Sequence, residues 1–209
     1  MPIEEEYTEY LKGKRVCLVG PAGHIMKIDQ KDLIESYDIV ARLNKAWPVP
    51  EGLQQCSGVR TDILYSAMAT HCLPEKNMLW TKEFKKEVKF LVCPFERQPP
   101  CPVVMGKVKS HKIPFIQFDP ERYSIVMKDL KTNPNSGTGA IIHLLLYPIK
   151  ELYVTGIAFL QGGYTTGYRN YAPNKGAHTP SKQIEYIRGF IWPDPRITAD
   201  EVFTNIMEK

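Results

Sequence analysis

The chain of 209 residues predicts an α/β fold, a single Rossmann-like domain with a mostly parallel sheet and helices on both faces. Three observations carry that expectation. Short apolar runs alternate with mixed or amphipathic stretches along most of the sequence. The runs are almost continuously apolar, as in strands buried on both faces. The first of them ends in Gly20-Pro21-Ala22-Gly23, a strand-to-glycine turn at what would be the carboxyl edge of the sheet. In open parallel sheets that edge is where ligands bind.

Taken in order, the predicted strands are residues 16–19, 39–43, 63–65, 88–93, 113–118 and 152–155. Helical or mixed segments fall between them at 29–36, 81–87, 121–130 and 137–146, with final helices at 181–190 and 199–207. The Pro-rich stretch 94–102 reads as a loop, because strand signals resume after it. Residues 161–177, rich in Gly and Tyr, read as a long irregular loop of the kind used for binding or as a lid.

Composition narrows the classes. The length suits one domain spanning 1–209 with a full core. A net charge of +4 is too mild and dispersed for nucleic acid. No run of 18 or more apolar residues suggests a membrane segment. The five cysteines, Cys17, Cys56, Cys72, Cys93 and Cys101, are odd in number and lack framework spacing, and no Asn-x-Ser/Thr site occurs. Both features favour a reducing, cytoplasmic setting. Zinc spacing and an Asp-x-Asp pair are absent, so neither a metal nor another cofactor is expected.

Three segments carry candidate chemistry. Gly20 and Gly23 bound a turn whose backbone N–H groups would cradle an anion, and the next strand delivers Arg42 and Asn44 to the same edge. Neither a complete Gly-x-Gly-x-x-Gly nor a Gly-Lys-Ser/Thr is present, so the dinucleotide and P-loop fingerprints both fail. The second segment is Asn135-Ser136-Gly137-Thr138-Gly139, with Asn135 or Ser136 as N-cap of an apolar helix whose N-terminus suits an anion. The third is His178, at the mouth of a helix after the glycine-rich loop. It can act as general acid or base near neutral pH, or simply flank the helix. His24 directly follows the first turn and is a further candidate, whereas His143, among Leu and Ile, reads as a core or edge residue. Tyr164 and Tyr168 in the long loop, and Asp62 at a strand entry, are possible sugar or acceptor contacts; loop packing and an arginine pair are the competing readings.

In this order the segments resemble the sialyltransferase family of glycosyltransferases, including its plant, bacterial and viral relatives. Leu18-Val19-Gly20-Pro21-Ala22-Gly23 through Asp38-Ile39-Val40-Ala41-Arg42-Leu43-Asn44 resembles the family's long motif, with Pro21-Ala22 where the family has Asn-Ser. Pro134 to Gly139 and Tyr153 to Ile157 resemble the short motif, and His178 with Glu185 the later His-and-Glu motif. The resemblance implies an inverting, metal-independent transferase on a variant of the GT-A fold. It would use a nucleotide-sugar donor, CMP-linked sialic acid first and another nucleotide sugar second, and a glycan acceptor. Donor nucleotide binding would fall to Gly20, Gly23, Arg42, Asn44, Ser136, Gly137 and Thr138, and catalysis to His178. The competing expectations are an NADP-dependent Rossmann oxidoreductase, with Arg42 reading the 2′-phosphate, and a non-catalytic nucleotide-binding module.

Overall fold

The computed structural model describes residues 1–68, 81–95, 101–165 and 178–209. Its strands are β1 (Arg15–Val19), β2 (Ile39–Leu43), β3 (Ile63–Tyr65), β4 (Phe90–Cys93), β5 (Phe115–Gln117), β6 (Glu151–Thr155) and β7 (Ile197–Ala199). They form one sheet of order β5-β4-β3-β2-β1-β6-β7, parallel at every pairing. Successive strands step outward from β1 to β5, then the chain returns to β6 on the other side of β1. The order therefore reverses between β1 and β6, and the carboxyl ends of those strands form the edge at which such sheets bind ligands.

The helices are α1 (Ile3–Leu11), α2 (Lys31–Glu35), α3 (Gln54–Ser57), α4 (Lys82–Glu87), α5 (Pro102–Ser110), α6 (Pro120–Leu130), α7 (Ser136–Leu145), α8 (Pro180–Tyr186) and α9 (Glu201–Met207). Side-chain alternation along the strands divides the core in two. Val16, Leu18, Ala41 and Leu43 face the larger cluster, which holds Ala140, Ile141 and Leu144 of α7. Cys17, Val19 and Val40 face a smaller one with Ile25, Ile34 and Tyr37.

All six predicted strands and six predicted helical segments appear, some with their predicted bounds and others with ends shifted by one or more residues. The unforeseen elements have short or masked signals. β7 is three residues long, and α5 begins with Pro102 at its first position, where a missing N–H costs nothing. Thus the proline-rich stretch ends in a helix start. α1 buries Tyr7 and Leu11, four residues apart. Cys17 and Cys93 are buried free thiols, pushed by burial up to about 12 and about 11 respectively, so both stay protonated at neutral pH. His143 is a core residue: its Nδ1 meets Tyr65 Oη at 2.9 Å, and Tyr65 Oη meets Tyr7 Oη at 3.1 Å.

Candidate active site

The N-terminus of α7 is built by residues from four parts of the chain. Asn135 is its N-cap, the Oδ1 accepting from Thr138 N at 2.9 Å. Asn44 follows β2 with φ 50, a left-handed conformation that asparagine tolerates. That turn aims its amide at the helix: Nδ2 donates to Ser136 Oγ at 3.1 Å, while Oδ1 accepts from Ala67 N at 3.1 Å. The amide thus joins the exits of β2 and β3 to the first residue of α7.

His178 lies against the same turn. Its Nδ1 is 2.9 Å from the carbonyl oxygen of Asn133. A carbonyl only accepts, so Nδ1 carries the hydrogen and, in the neutral ring, Nε2 holds the lone pair. Thr179 N donates to Thr132 Oγ1 at 3.1 Å, fixing the strand of chain that carries the imidazole. Gln183 completes the lacing: its Oε1 accepts from Asn135 N at 2.9 Å and from Thr138 Oγ1 at 2.7 Å. Because the oxygen must face the Asn135 N–H, the amide cannot be reversed, and its buried Nε2 has no partner among the described residues. Glu185 is exposed, so Gln183 is the α8 residue that supports this site. It was missed in the sequence. Its signal was a polar residue four positions before Ile187 on the buried stripe of the helix.

The first glycine turn works differently from its expected role. Gly20 N donates to Thr155 O at 2.7 Å, Ala22 N to Gly156 O at 2.8 Å and Gly23 N to Gly163 O at 2.7 Å. Pro21 has no N–H, so the anion cradle expected of Gly20 and Gly23 is corrected: the turn's donors tie it to the end of β6 and, through Gly23, to the start of the long loop. A Cβ on Gly20 would lie 2.3 Å from Gly156 O, which explains the glycine by close backbone approach. Tyr164 bridges Ala22 in an antiparallel pair and Thr165 N donates to Pro21 O at 2.8 Å, which lays the start of the long loop along the turn. Tyr168 lies outside the described residues. His24 Nε2 meets Asp200 Oδ2 at 2.9 Å. The same carboxylate accepts from Thr155 Oγ1, Gly156 N and Phe203 N. Burial raises the Asp200 pKa, but these bonds outweigh it and hold the carboxyl below its usual range.

No protein-family model matches the chain, and no curated protein matches its sequence. Solved structures do match its shape. A mammalian sialyltransferase aligns with TM-score 0.62 at 18% identity, over 90% of this chain and 69% of that one. A mammalian sialyltransferase in complex with Gal-beta-1-3GalNAc-ortho-nitrophenol gives 0.61 at 18% identity, over 96% and 73%. The sialyltransferase CstII from Campylobacter jejuni, in complex with the substrate analogue cytidine-5′-monophosphate, gives 0.57 at 14% identity, over 90% and 80%. The fold is that of the sialyltransferases.

Within this sialyltransferase fold two further expectations are revised. Asp62 precedes β3, and in a parallel sheet every strand starts at the edge opposite the carboxyl ends. There its Oδ2 accepts from Val40 N at 2.8 Å and pairs with Arg60 Nε at 3.0 Å, so Asp62 locks a strand entry at the edge away from Asn44 and Ser136. Arg42 and Asn44 were expected to serve one ligand. Arg42 instead points to the face of Val19 and Ile25, while Asn44 reaches α7 on the other face. Among the described residues, no group of three or more His, Cys, Asp or Glu is arranged to hold a metal ion, and no helix is long and apolar enough to cross a membrane.

Proposed function

We propose that the protein is an inverting glycosyltransferase that moves a sugar from a nucleotide-sugar donor, CMP-linked sialic acid first, to a hydroxyl of a glycan. The observation that carries this reading is the convergence of Asn44, Ser136 and the His178 segment on the N-terminus of α7, in a sialyltransferase fold. Asn44, Ser136 and Gly137 are proposed as donor contacts. The partial positive charge of a ten-residue helix favours the donor phosphate there, and more so the charge that grows on it as it leaves. Thr138 is fully buried, with its hydroxyl committed to Gln183, and serves by holding the turn's shape.

His178 Nε2 is proposed as the base. It takes the proton of the acceptor hydroxyl while that oxygen bonds to the anomeric carbon, and the bond from carbon to phosphate oxygen breaks on the opposite face. Inversion follows from that in-line geometry. The nucleotide leaves as a phosphate monoester, and the proton ends on the imidazole. The step draws on no metal.

The test is direct. Purified protein is incubated with CMP-linked sialic acid and a β-galactoside, with and without EDTA, and both CMP release and the glycan product are followed. Transfer that persists in EDTA supports the reading. Absence of transfer, with heat protection given by a nucleoside diphosphate plus a bivalent metal instead of by CMP, overturns it.

A further inference from the structure

On the far face of β2 from the Asn44–Ser136 contact, a second cleft opens at the carboxyl edge of the sheet. Val19 and Ile25 line it on one side and Val49 and Leu53 on another, with Arg42 and Lys45 as its cations. Arg42 is 1% exposed. Its Nε donates to Arg60 O at 3.0 Å and its Nη2 to Ser57 O at 2.6 Å. Carbonyls satisfy donors without cancelling charge. Arg15, Arg60 and Arg196 each pair with a carboxylate, whereas among the described residues no carboxylate forms an ion pair with Arg42. Burial lowers its pKa to about 10, which leaves it a cation at neutral pH. Lys45, three positions on, is exposed beside the same cleft.

This buried guanidinium, with no direct ion pair, lines the cleft together with Lys45, Ser57 and Thr165 and is offset only at longer range by the Glu35 and Asp62 carboxylates. An oxyanion in the cleft would neutralise it with charge-assisted hydrogen bonds. We propose that this cleft is a second anion subsite, distinct from the α7 N-terminus, which takes a carboxylate or phosphate group carried on a small ligand body. The two positions share the Gly20 turn as a common wall. Gly20 lines the cleft, its backbone abuts Ile157, and Ile157 abuts Gly137 of α7. A ligand held by its anionic group at Arg42 and Lys45 therefore lies on the other side of one turn from the proposed donor contacts.

The experiment is an NMR titration of the whole labelled chain with three probes: inorganic phosphate, galacturonate and galactose. Backbone amides of Lys45, Ala46 and Ser57 and the Arg42 side chain are the reporters. Saturable shifts with either anion, but not with galactose, support the subsite, and the anion that binds tighter identifies the source of the charge. Lys45→Glu should weaken that binding by about tenfold or more. Lys45 is exposed and its replacement leaves the fold intact, which the amide spectrum itself verifies. Either of two outcomes overturns the subsite: no saturable shift with either anion, or binding that Lys45→Glu does not weaken. All readouts are of binding, so a protein without transferase activity would still test it.

Discussion

Asn44 Nδ2 donates to Ser136 Oγ at 3.1 Å, across 92 positions of sequence. The bond joins the two motifs that, read separately, each resembled a generic anion-binding turn. It depends on a backbone conformation with φ 50 at Asn44, so the side chain and its dihedral can be tested apart.

Asn44→Ala loses both amide bonds and puts an ordinary residue in the left-handed region. Asn44→Gly loses the same bonds without the strain. Both variants should bind CMP at least about tenfold more weakly by calorimetry. The glycine variant should be the more stable of the two by about 1 kcal/mol in denaturant titrations. Equal CMP affinity in wild type and both variants would remove Asn44 from the donor site.

His178→Ala should lower kcat/KM by about 10² to 10⁴, the range for a lost general base, and leave CMP affinity within about threefold. His178→Gln retains a donor for Asn133 O and should be as inactive as the alanine variant but closer to wild type in stability. Turnover near wild type in either variant would exclude the imidazole as base.

Gln183 is predicted to act on activity through position. Gln183→Leu strands the half-buried Asn135 N–H and the buried Thr138 hydroxyl, at a cost of about 2–4 kcal/mol. Gln183→Glu keeps an acceptor for both, removes the orphan Nε2 donor and adds negative charge beside the α7 N-terminus. It should retain more stability than the leucine variant at neutral pH while weakening CMP binding. Melting curves and CMP titrations of the two variants separate the clasp from the charge.

The strands of the sheet's interior were legible because burial on both faces makes them continuously apolar, and Ile39–Leu43 and Ile63–Tyr65 appear with the predicted bounds. Three-residue β7 carried too little pattern to register. At the site, Asn44, Ser136 and His178 were identifiable because turn chemistry and capping are local. Which face of β2 each residue serves is not local, and so Arg42 was grouped with Asn44. The first turn misled for a related reason. A glycine placed for close backbone approach has the same sequence as one placed for a phosphate, and only the carbonyl of Gly156 beside Gly20 tells them apart.

That carbonyl makes Gly20→Ala a severe change. The new Cβ would lie 2.3 Å from Gly156 O and 2.5 Å from Ile157 Cγ1, so β1 and β6 must separate at their carboxyl ends. We expect a loss of more than about 3 kcal/mol, or insoluble expression, against no loss or a gain of up to about 1 kcal/mol for Gly52→Ala, where nothing lies within 4 Å. Equal melting temperatures of the two variants would show that the junction yields.

His143 sets an acid limit on stability. Burial, with a smaller push from Arg122, lowers its pKa from 6.5 to about 3 in the folded chain. Above pH 6.5 the ring is neutral in both the folded and unfolded chain. Between 6.5 and about 3 the unfolded chain takes a proton that the core refuses, so stability falls as pH falls. The slope from this one residue is about 1.4 kcal/mol per pH unit. His143→Leu removes the titrating ring and leaves Tyr65 Oη its contact with Tyr7 Oη. Carboxylates contribute alike to both proteins, so the difference between their urea midpoints isolates the imidazole. That difference should shift in favour of the leucine variant as pH falls from 7 to 4, and parallel curves over that interval would mean that the core accepts the proton.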